Sequence, residues 1–214
     1  MKINIRFFLV SVLGIALLGF TGSMLAAYKA HTWAPNSRES YPASLASEGV
    51  TIAVEPLFND ALAARVFDKD DIVTRGIMPL AIVIFNDNDY PVEVDALSIE
   101  LIRGDDHYRT LLPKEAVNHI YRKDKAVLGQ PLPKVTNEKA LEDFNDKFLL
   151  DREIAPHGKG GGFVFMKMYD TKELASYLSS ATVYIPNVYR LDNGSRLIFF
   201  EINLDAAVRG GMRR

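Results

Sequence analysis

The sequence predicts a mainly β protein: an antiparallel β-sandwich with short helices, a helical insertion and an N-terminal hydrophobic helix. Three observations lead to this fold class. β-branched and aromatic runs, such as residues 80–85, have the composition of buried strands. Clusters of Asn, Asp, Gly and Pro separate these runs and favour turns. Helical periodicity is confined to short segments, apart from the insertion at residues 113–153.

The composition fits one folded domain behind an N-terminal leader. The chain has 214 residues, of which 48% are hydrophobic and 24% are charged, which is ordinary for a globular protein with a substantial core. Cysteine is absent, which excludes disulfides, thiolate metal sites and a cysteine nucleophile. The net charge of −2 provides no basic surface for nucleic acid, so no nucleic-acid partner is expected.

The leader, residues 1–28, is predicted to be a signal peptide or an uncleaved membrane anchor. Lys2 and Arg6 precede an uncharged, mostly apolar run that continues to Tyr28. This pattern is typical of an export signal, and the run is also long enough for a helix that spans the bilayer. Both outcomes place the rest of the chain outside the cytoplasm, either free in the periplasm or anchored to the membrane.

A flexible tether is predicted at residues 29–47. This segment is rich in Ala, Ser and Pro and shows no helical or strand periodicity. A flexible tether has a purpose when it links a domain to a membrane anchor, and less purpose at the N-terminus of a cleaved protein. The segment therefore favours retention of the leader, and cleavage stays open as the alternative.

The sandwich domain is predicted over residues 48–205. Its first strand begins at Gly49, because Val50, Ile52 and Val54 alternate with small or polar residues. A short helix is predicted to follow this strand, and a charged loop then leads into the centre of the domain.

The centre of the domain is predicted to be a β-hairpin. Its first arm is the apolar run at residues 80–85, its loop is the Asn/Asp segment 86–89, and its second arm begins at Val92. The apolar positions of the second arm fall on two opposite faces: Val92, Val94 and Ala96 on one, and Leu97, Ile99 and Leu101 on the other. A bulge or strand break at residues 95–97 would reconcile the two faces.

The helical insertion at residues 113–153 carries the candidate partner-binding residues. Leu141, Phe144 and Phe148 have helical spacing and form an apolar stripe. In one interpretation the stripe packs onto the sheet as part of the core. In the other it stays exposed and binds a partner helix or a membrane complex.

The C-terminal third supplies further strands, predicted at residues 163–169, 182–191 and 196–204. Asn193 and Gly194 lie between the last two strands and are the strongest short signal of a β-hairpin. In the last strand Phe200 is predicted to face the core and Phe199 the opposite side. The tail, residues 206–214, has two glycines and three arginines and is predicted to be disordered.

About six or seven strands with short helices indicate an immunoglobulin-like sandwich. Four groups of residues also carry a resemblance: Val66-Phe67, Gly76-Ile77-Met78-Pro79, Val83-Ile84-Phe85-Asn86 with Pro91-Val92, and Gly162-Phe163-Val164-Phe165. Over residues 49–204 the chain resembles uncharacterised exported bacterial proteins with a single immunoglobulin-like domain. The resemblance implies a fold and brings no catalytic residues. Trp33, the only tryptophan, lies in the predicted tether.

Two groups of residues are candidate metal ligands. Asp87 and Asp89 supply oxygen atoms of the kind that calcium prefers, although turns also use Asp and Asn for backbone reasons. Met166 and Met168, with His157 upstream, offer the soft ligands that suit Cu(I). Packing of the two methionines in the core is the commoner explanation. No cofactor is predicted.

No catalytic constellation is recognised in the sequence. The nucleophile-elbow pattern G-x-S-x-G does not occur, and the glycine run 158–162 lacks the residues of a phosphate-binding P-loop. We therefore expect a non-enzymatic envelope protein, an exported or membrane-tethered domain that binds another, unknown envelope protein or helps to assemble an envelope complex. The alternative is a periplasmic module that binds a small ligand or a metal, Ca or Cu. The N-terminal helix, where it is uncleaved, is expected to contact the membrane.

Overall fold

The computed structural model describes residues 28–121, 138–149 and 153–212. The predicted leader lies outside these ranges except for Tyr28, as do the middle of the predicted insertion and the last two residues of the tail. Among the helices of the described part, none is both long enough and apolar enough to cross a membrane.

The described residues form a mainly β structure, with an antiparallel sheet of eight strands and a second sheet of two. The strands are β1 (Ser44–Ser47), β2 (Val50–Pro56), β3 (Ile77–Asn86), β4 (Val92–Val94), β5 (Glu100–Arg103), β6 (Asp106–Leu111), β7 (Lys159–Lys167), β8 (Thr182–Ile185), β9 (Val188–Arg190) and β10 (Phe200–Asn203). The large sheet has the order β1-β2-β3-β7-β6-β5-β8-β10, and β4 pairs with β9. The prediction of a mainly β, antiparallel fold is therefore confirmed.

Five short α-helices accompany the sheets in the described ranges: α1 (Asp60–Ala63), α2 (Pro113–Ile120), α3 (Glu138–Lys147), α4 (Leu174–Leu178) and α5 (Asp205–Gly211). Helices α2 and α3 fall within the predicted insertion and contact each other. Helix α5 forms where the sequence predicts a disordered tail at residues 206–214, and that prediction is wrong as far as residue 212. The helix is stabilised because Ala207 and Val208 are buried in the core.

Strand β6 joins the two halves of the large sheet. Its first four residues pair with β5, whereas Thr110 and Leu111 pair with Met166 and Phe165 of β7. The sheet curls until its edge strands β1 and β10 approach each other, and strands of both halves line one core. The structure thus has one continuous curled sheet where the sequence predicts two stacked sheets, and an immunoglobulin-like sandwich is not confirmed.

The prediction of a central β-hairpin is wrong, because β3 and β4 do not pair. Strand β3 is hydrogen-bonded to β2 on one side and to β7 on the other, so no edge is left for β4. The side-chain amide of Asn86 donates to the carbonyls of Tyr90, Ile154 and Ala155. These bonds hold residues 86–91 in a turn. After the turn the chain leaves the large sheet, and β4 pairs with β9 in the second sheet.

The predicted strand break at residues 95–97 is confirmed. A 3-10 helix, Ala96–Ser98, separates β4 from β5, and the Asp95 carboxylate accepts a hydrogen bond from the amide of Leu97 at its start. The break changes the phase of the chain, so that Ile99 and Leu101 are buried together with Val92 and Val94. Leu97 is left exposed at the break.

The segment that the sequence predicts to be a flexible tether, residues 29–47, packs along the sheet. We call residues 28–43 the strap, and the remaining residues 44–47 form β1. The Trp33 ring lies edge-to-face with Phe163, with 4.7 Å between centroids, and the Tyr41 ring lies 6.3 Å from that of Phe85. The prediction of a tether is wrong, because these aromatic side chains pack on buried apolar residues of β2, β3 and β7.

Polar contacts fix the strap along its length. Near its start, the hydroxyl of Tyr28 donates to Asp143 of α3. Further along, the Lys159 ammonium donates to the carbonyls of Pro35 and Asn36 at 3.2 and 3.4 Å. Arg38 then forms an ion pair with Asp87, in the loop that follows β3. The strap therefore runs from one end of β3 to the other, and β3 is buried along all ten of its residues.

Phe200 and Phe199 offer a test of the orientation of β10. Phe200 is fully buried in the core and Phe199, just before the strand, is half-exposed. We expect Phe200→Ala to lower the free energy of unfolding by about 3–5 kcal/mol, the cost of removing a buried aromatic ring. Phe199→Ala should cost much less, because much of that ring is already in water. Urea melts measure both losses, and equal losses would contradict the orientation.

Candidate functional site

The three candidate partner-binding residues lie against the core. Phe144 and Phe148 are buried, and their rings stack on that of Phe165 with centroid distances of 4.8 and 6.1 Å. Leu141 is partly buried and packs on the same cluster. This burial agrees with the first of the two interpretations of the stripe, in which it packs as part of the core.

The two candidate calcium ligands each contact a basic side chain. Asp87 lies 2.7 Å from the guanidinium of Arg38, whose hydrogen bond holds the pKa of that carboxyl below its usual range. Asp89 lies 2.8 Å from Nε2 of His157. Within the described ranges, no group of three or more His, Asp or Glu side chains is arranged to hold a metal ion.

The candidate copper ligands are not brought together. Met166 and Met168 are buried in the core, where Met166 lies opposite Met78 in the pairing of β3 with β7. His157 is exposed, and its imidazole contacts Asp89. The burial of both methionines agrees with core packing.

A polar pocket, which we call the Tyr177 pocket, lies between the end of β5, the β7–α4 connection and α4. It is a cavity of about 170 Å³ lined by Arg103, Asp170, Glu173, Ser176 and Tyr177. Charged and hydroxyl-bearing side chains line it, and they come from three separate elements of the chain. The pocket thus offers hydrogen-bond donors and acceptors together in a small concave site.

Tyr177 and Arg103 form the fixed wall of the pocket. The Tyr177 hydroxyl is hydrogen-bonded to Oδ2 of Asp106 at 2.9 Å and to the hydroxyl of Tyr108 at 3.1 Å. Burial and these two bonds raise the pKa of Tyr177, so its hydroxyl stays protonated. The Arg103 guanidinium lies 4.3 Å from the centroid of the Tyr177 ring, and its Nε donates to Ser180. Stacking and hydrogen bonding together orient this cation.

Charges of both signs line the pocket without neutralising one another. Among the described residues Arg103 forms no ion pair with a carboxylate, although Asp170 and Glu173 line the same cavity. Asp170 accepts a hydrogen bond from the amide of Lys172, and Glu173 makes no ion pair with any side chain of the described part. The pocket therefore combines a guanidinium with two carboxylates that are not paired with it in the described part of the chain.

An exposed aromatic rim adjoins the pocket. Tyr169 is 83% exposed, and the Lys167 ammonium lies 5.5 Å from its ring centroid. The ring of Tyr108 lies 6.2 Å from that of Tyr169 and 6.0 Å from that of Tyr177. Three tyrosines thus lead from the pocket wall to a ring in solvent, and an aromatic ring with a polar tip suits a boundary between water and an apolar phase.

Sequence reasoning missed this pocket because its residues have another explanation. Asp170 and Glu173 have the spacing of a capping box, which predicts that they cap a short helix. In the structure Glu173 precedes α4 but its side chain makes no capping bond, and both carboxylates line the pocket instead. Tyr169 directly before Asp170 was the available signal, since tyrosine is enriched at interfaces.

A second polar cluster lies under α3, at the start of the strap. Asp143 and Lys147 are only 4% and 7% exposed and form an ion pair with each other. The Lys147 ammonium also lies 5.3 Å from the ring centroid of Phe67. Tyr28 donates its hydroxyl to Oδ2 of Asp143 at 2.7 Å, and the amide of Lys29 donates to Asp68. The first two described residues are therefore held on the folded domain.

Comparisons with known proteins add little to this description. No family model matches the chain, and no curated protein matches it. Among solved structures, a crystal structure of a functionally unknown protein from Listeria monocytogenes EGD-e is similar, with 12% sequence identity, a TM-score of 0.32, and coverage of 75% of this chain and 78% of that chain. This is a loose likeness of fold and supports no argument about function.

Proposed function

We propose that the chain is a non-enzymatic binding protein of the bacterial envelope, held by its leader at the outer face of the cytoplasmic membrane. One observation carries the proposal: the residues that directly follow the apolar leader are fixed to the domain. Tyr28 is bonded to Asp143 and Lys29 to Asp68. A leader retained in the bilayer would therefore hold the domain against the membrane surface.

The position of these contacts supports one orientation of the domain. Asp68 lies in the loop that leads into β3 at Ile77, whereas the loop after β3 contains Asp89. Ten extended residues separate the two loops, about 33 Å along the strand. In the proposed arrangement the loop before β3 lies near the membrane and the loop after β3 lies farthest from it.

Fractionation tests retention of the leader. We expect the full-length protein to stay in the membrane pellet after a carbonate wash. N-terminal sequencing of protein from the native host that begins near Ala27 or Tyr28 would contradict retention.

Two matched labels test the orientation. The natural chain has no cysteine, so Asp70→Cys and Asp89→Cys each give one site for a fluorescent dye. The two side chains are equally open, at 95% and 96% exposed. In proteoliposomes whose lipid headgroups carry a quencher, the dye at position 70 should be quenched and the dye at position 89 should not. Equal quenching at both positions would contradict the orientation.

We propose, as the finer description of the fold, that the domain is immunoglobulin-like. The observation that supports it is the strand order: β2-β3-β7-β6 and β5-β8-β10 follow the A-B-E-D and C-F-G orders of that fold. The pairing of β6 with β5 is then an added join between the two layers. A crystal structure with these strands in two facing layers would support this description, and one with the strands in a different order would contradict it.

A protein partner is the second candidate function. It is favoured by Ile198 and Phe199, which are both exposed beside β10, at one end of the large sheet's strand order. Neighbouring exposed apolar side chains are a common place for a partner protein to bind. Loss of a co-purifying envelope protein in a Phe199→Asp variant, with an unchanged thermal midpoint, would support this function. Retention of every partner would contradict it.

A further inference from the structure

We propose that the Tyr177 pocket binds the phosphoethanolamine headgroup of a membrane lipid. This inference rests on the proposed location of the domain at the membrane, and it names the ligand of the pocket. Three observations support it: charges of both signs line the cavity, the cavity is small, and it lies at one particular end of the sheet.

The charges of the pocket suit a ligand that carries both signs. Arg103 presents guanidinium N–H groups beyond the Nε that Ser180 occupies, and guanidinium groups bind phosphate through two parallel hydrogen bonds. Asp170 and Glu173 supply carboxylate oxygens in the same cavity, and a primary ammonium donates to such oxygens. A phosphate linked to a primary amine by two carbons carries a binding partner for each of these two kinds of group.

The size of the cavity favours a headgroup over a larger ligand. Its volume is about 170 Å³, below the roughly 300–1,000 Å³ of pockets that enclose drug-sized molecules. A cavity of this size holds a small polar group, and the rest of the ligand must lie outside it. A lipid meets this condition because its acyl chains stay in the bilayer.

The pocket lies at the end of the sheet that the proposed function places near the membrane. The amide of Met168 donates to the carbonyl of Gly76, so the start of the β7–α4 connection lies beside the start of β3. Tyr169 and Asp170 follow directly. The same end of β3 holds the 66–75 loop, whose Asp68 binds the amide of Lys29.

The rim of the pocket has the composition of a membrane interface. Tyr169 exposes most of its ring, with the Lys167 ammonium beside it. Tyrosine is enriched where hydrocarbon meets water, and lysine reaches from that depth towards the headgroups. The rim residues would thus enter the headgroup layer while the pocket encloses one headgroup.

Native mass spectrometry of the full chain tests the proposal. The protein is reconstituted in nanodiscs that contain equal amounts of phosphatidylethanolamine, phosphatidylcholine and phosphatidylglycerol, and the lipid that stays bound after release is identified. We expect one phosphatidylethanolamine to be retained, at least about tenfold over either competitor. Phosphatidylcholine shares the phosphate but its quaternary ammonium has no N–H to donate to the carboxylates. Equal retention of the three lipids would overturn the proposal.

Variants with matched controls separate the pocket from the rest of the surface. Arg103→Gln and Glu173→Gln should each lower retention by about tenfold, whereas Glu201→Gln, a similar change at an exposed position of β10, should not. Tyr169→Ala should weaken retention and Phe199→Ala, the removal of another exposed ring, should not. Unchanged retention in Arg103→Gln and Glu173→Gln would overturn the proposal.

A soluble headgroup distinguishes the source of the ligand. Free phosphoethanolamine should shift the amide signals of Ser176 and Tyr177 in NMR spectra of the full chain, because it offers the same two charges. If free phosphoethanolamine binds and nanodisc lipid is not retained, the ligand is a soluble phosphoamine and the lipid assignment is wrong. A protein found by carbonate wash to be unanchored, but retaining phosphatidylethanolamine, would refute the proposed anchoring and leave the ligand assignment standing.

Discussion

Phe144→Ser combined with Phe148→Ser should produce the largest loss of stability of any substitution in α3 and its C-terminal flank. Truncation of one buried phenylalanine costs about 3–5 kcal/mol. Both rings stack on Phe165, and each serine would add a hydroxyl in apolar surroundings. We expect the double variant to be largely unfolded at room temperature, since domains of this size are stable by about 5–15 kcal/mol.

Circular dichroism during urea titration measures this loss. Phe199→Ser is the matched control, because Phe199 is half-exposed and should change the midpoint little. A double variant with an unchanged midpoint would show that the stripe lies outside the core. That result would restore the interpretation in which Leu141, Phe144 and Phe148 bind a partner.

Lys147→Met should also be strongly destabilising. Lys147 and Asp143 are buried as an ion pair, and removal of one partner leaves an uncompensated buried charge. Such a change costs about 3–5 kcal/mol. Methionine keeps most of the length of the side chain, so lost packing contributes little and the loss reports mainly on the charge. Thermal melts of wild type and variant measure the difference.

Two further variants make this result interpretable. Lys139→Met makes the same change at an exposed position of α3 and should cost almost nothing. Adding Asp143→Leu to Lys147→Met should recover much of the loss, because an apolar pair replaces a buried ion pair at little cost in many proteins. A double variant that is no more stable than Lys147→Met would mean that the bond from Tyr28 to Asp143, rather than the charge pair, is what stabilises this region.

The positions of strands could be predicted from the sequence better than their partners. Residues 80–85 are apolar without interruption, and they lie in β3, the strand that is buried on both faces. Its partners β2 and β7 lie far apart in the chain, and no local pattern specifies that pairing. At Gly162 a side chain is excluded, because a Cβ would lie 2.7 Å from the carbonyl oxygen of Lys147. The glycine run therefore serves close packing of α3 on β7, which its composition alone did not indicate.

The wrong predictions at the two ends of the domain have a common cause. The small, polar and charged residues of segments 29–47 and 206–214 are typical of disorder and predict flexible ends. Both segments are ordered in the structure because a few of their apolar side chains pack on the domain. These are Trp33 and Tyr41 in the strap, and Ala207 and Val208 in α5. Burial of such side chains on an existing sheet offsets the entropy of ordering a short segment. The sequence contains these residues, but the surface that receives them exists only in the fold.

The candidate site was beyond sequence reasoning for a similar physical reason. Arg103 ends β5, whereas the other residues of the Tyr177 pocket come from the segment around α4. The pairing of β5 with β8 brings the two parts of the chain together. Because that pairing is non-local, no spacing in the sequence could place the guanidinium opposite the carboxylates.

In the proposed arrangement, with the leader retained in the membrane, the docked strap would also set how far the domain can move from its point of attachment. A freely extended chain over residues 29–47 would give the domain a radius of action of about 65 Å. Because Tyr28 and Trp33 are bound to the domain, this segment is not free to extend. The distance that the domain could move from the membrane is therefore much shorter than this length. A domain anchored in this way would diffuse in the plane of the membrane and would stay close to its surface. Its encounters would then be with molecules embedded in, or delivered to, the same membrane.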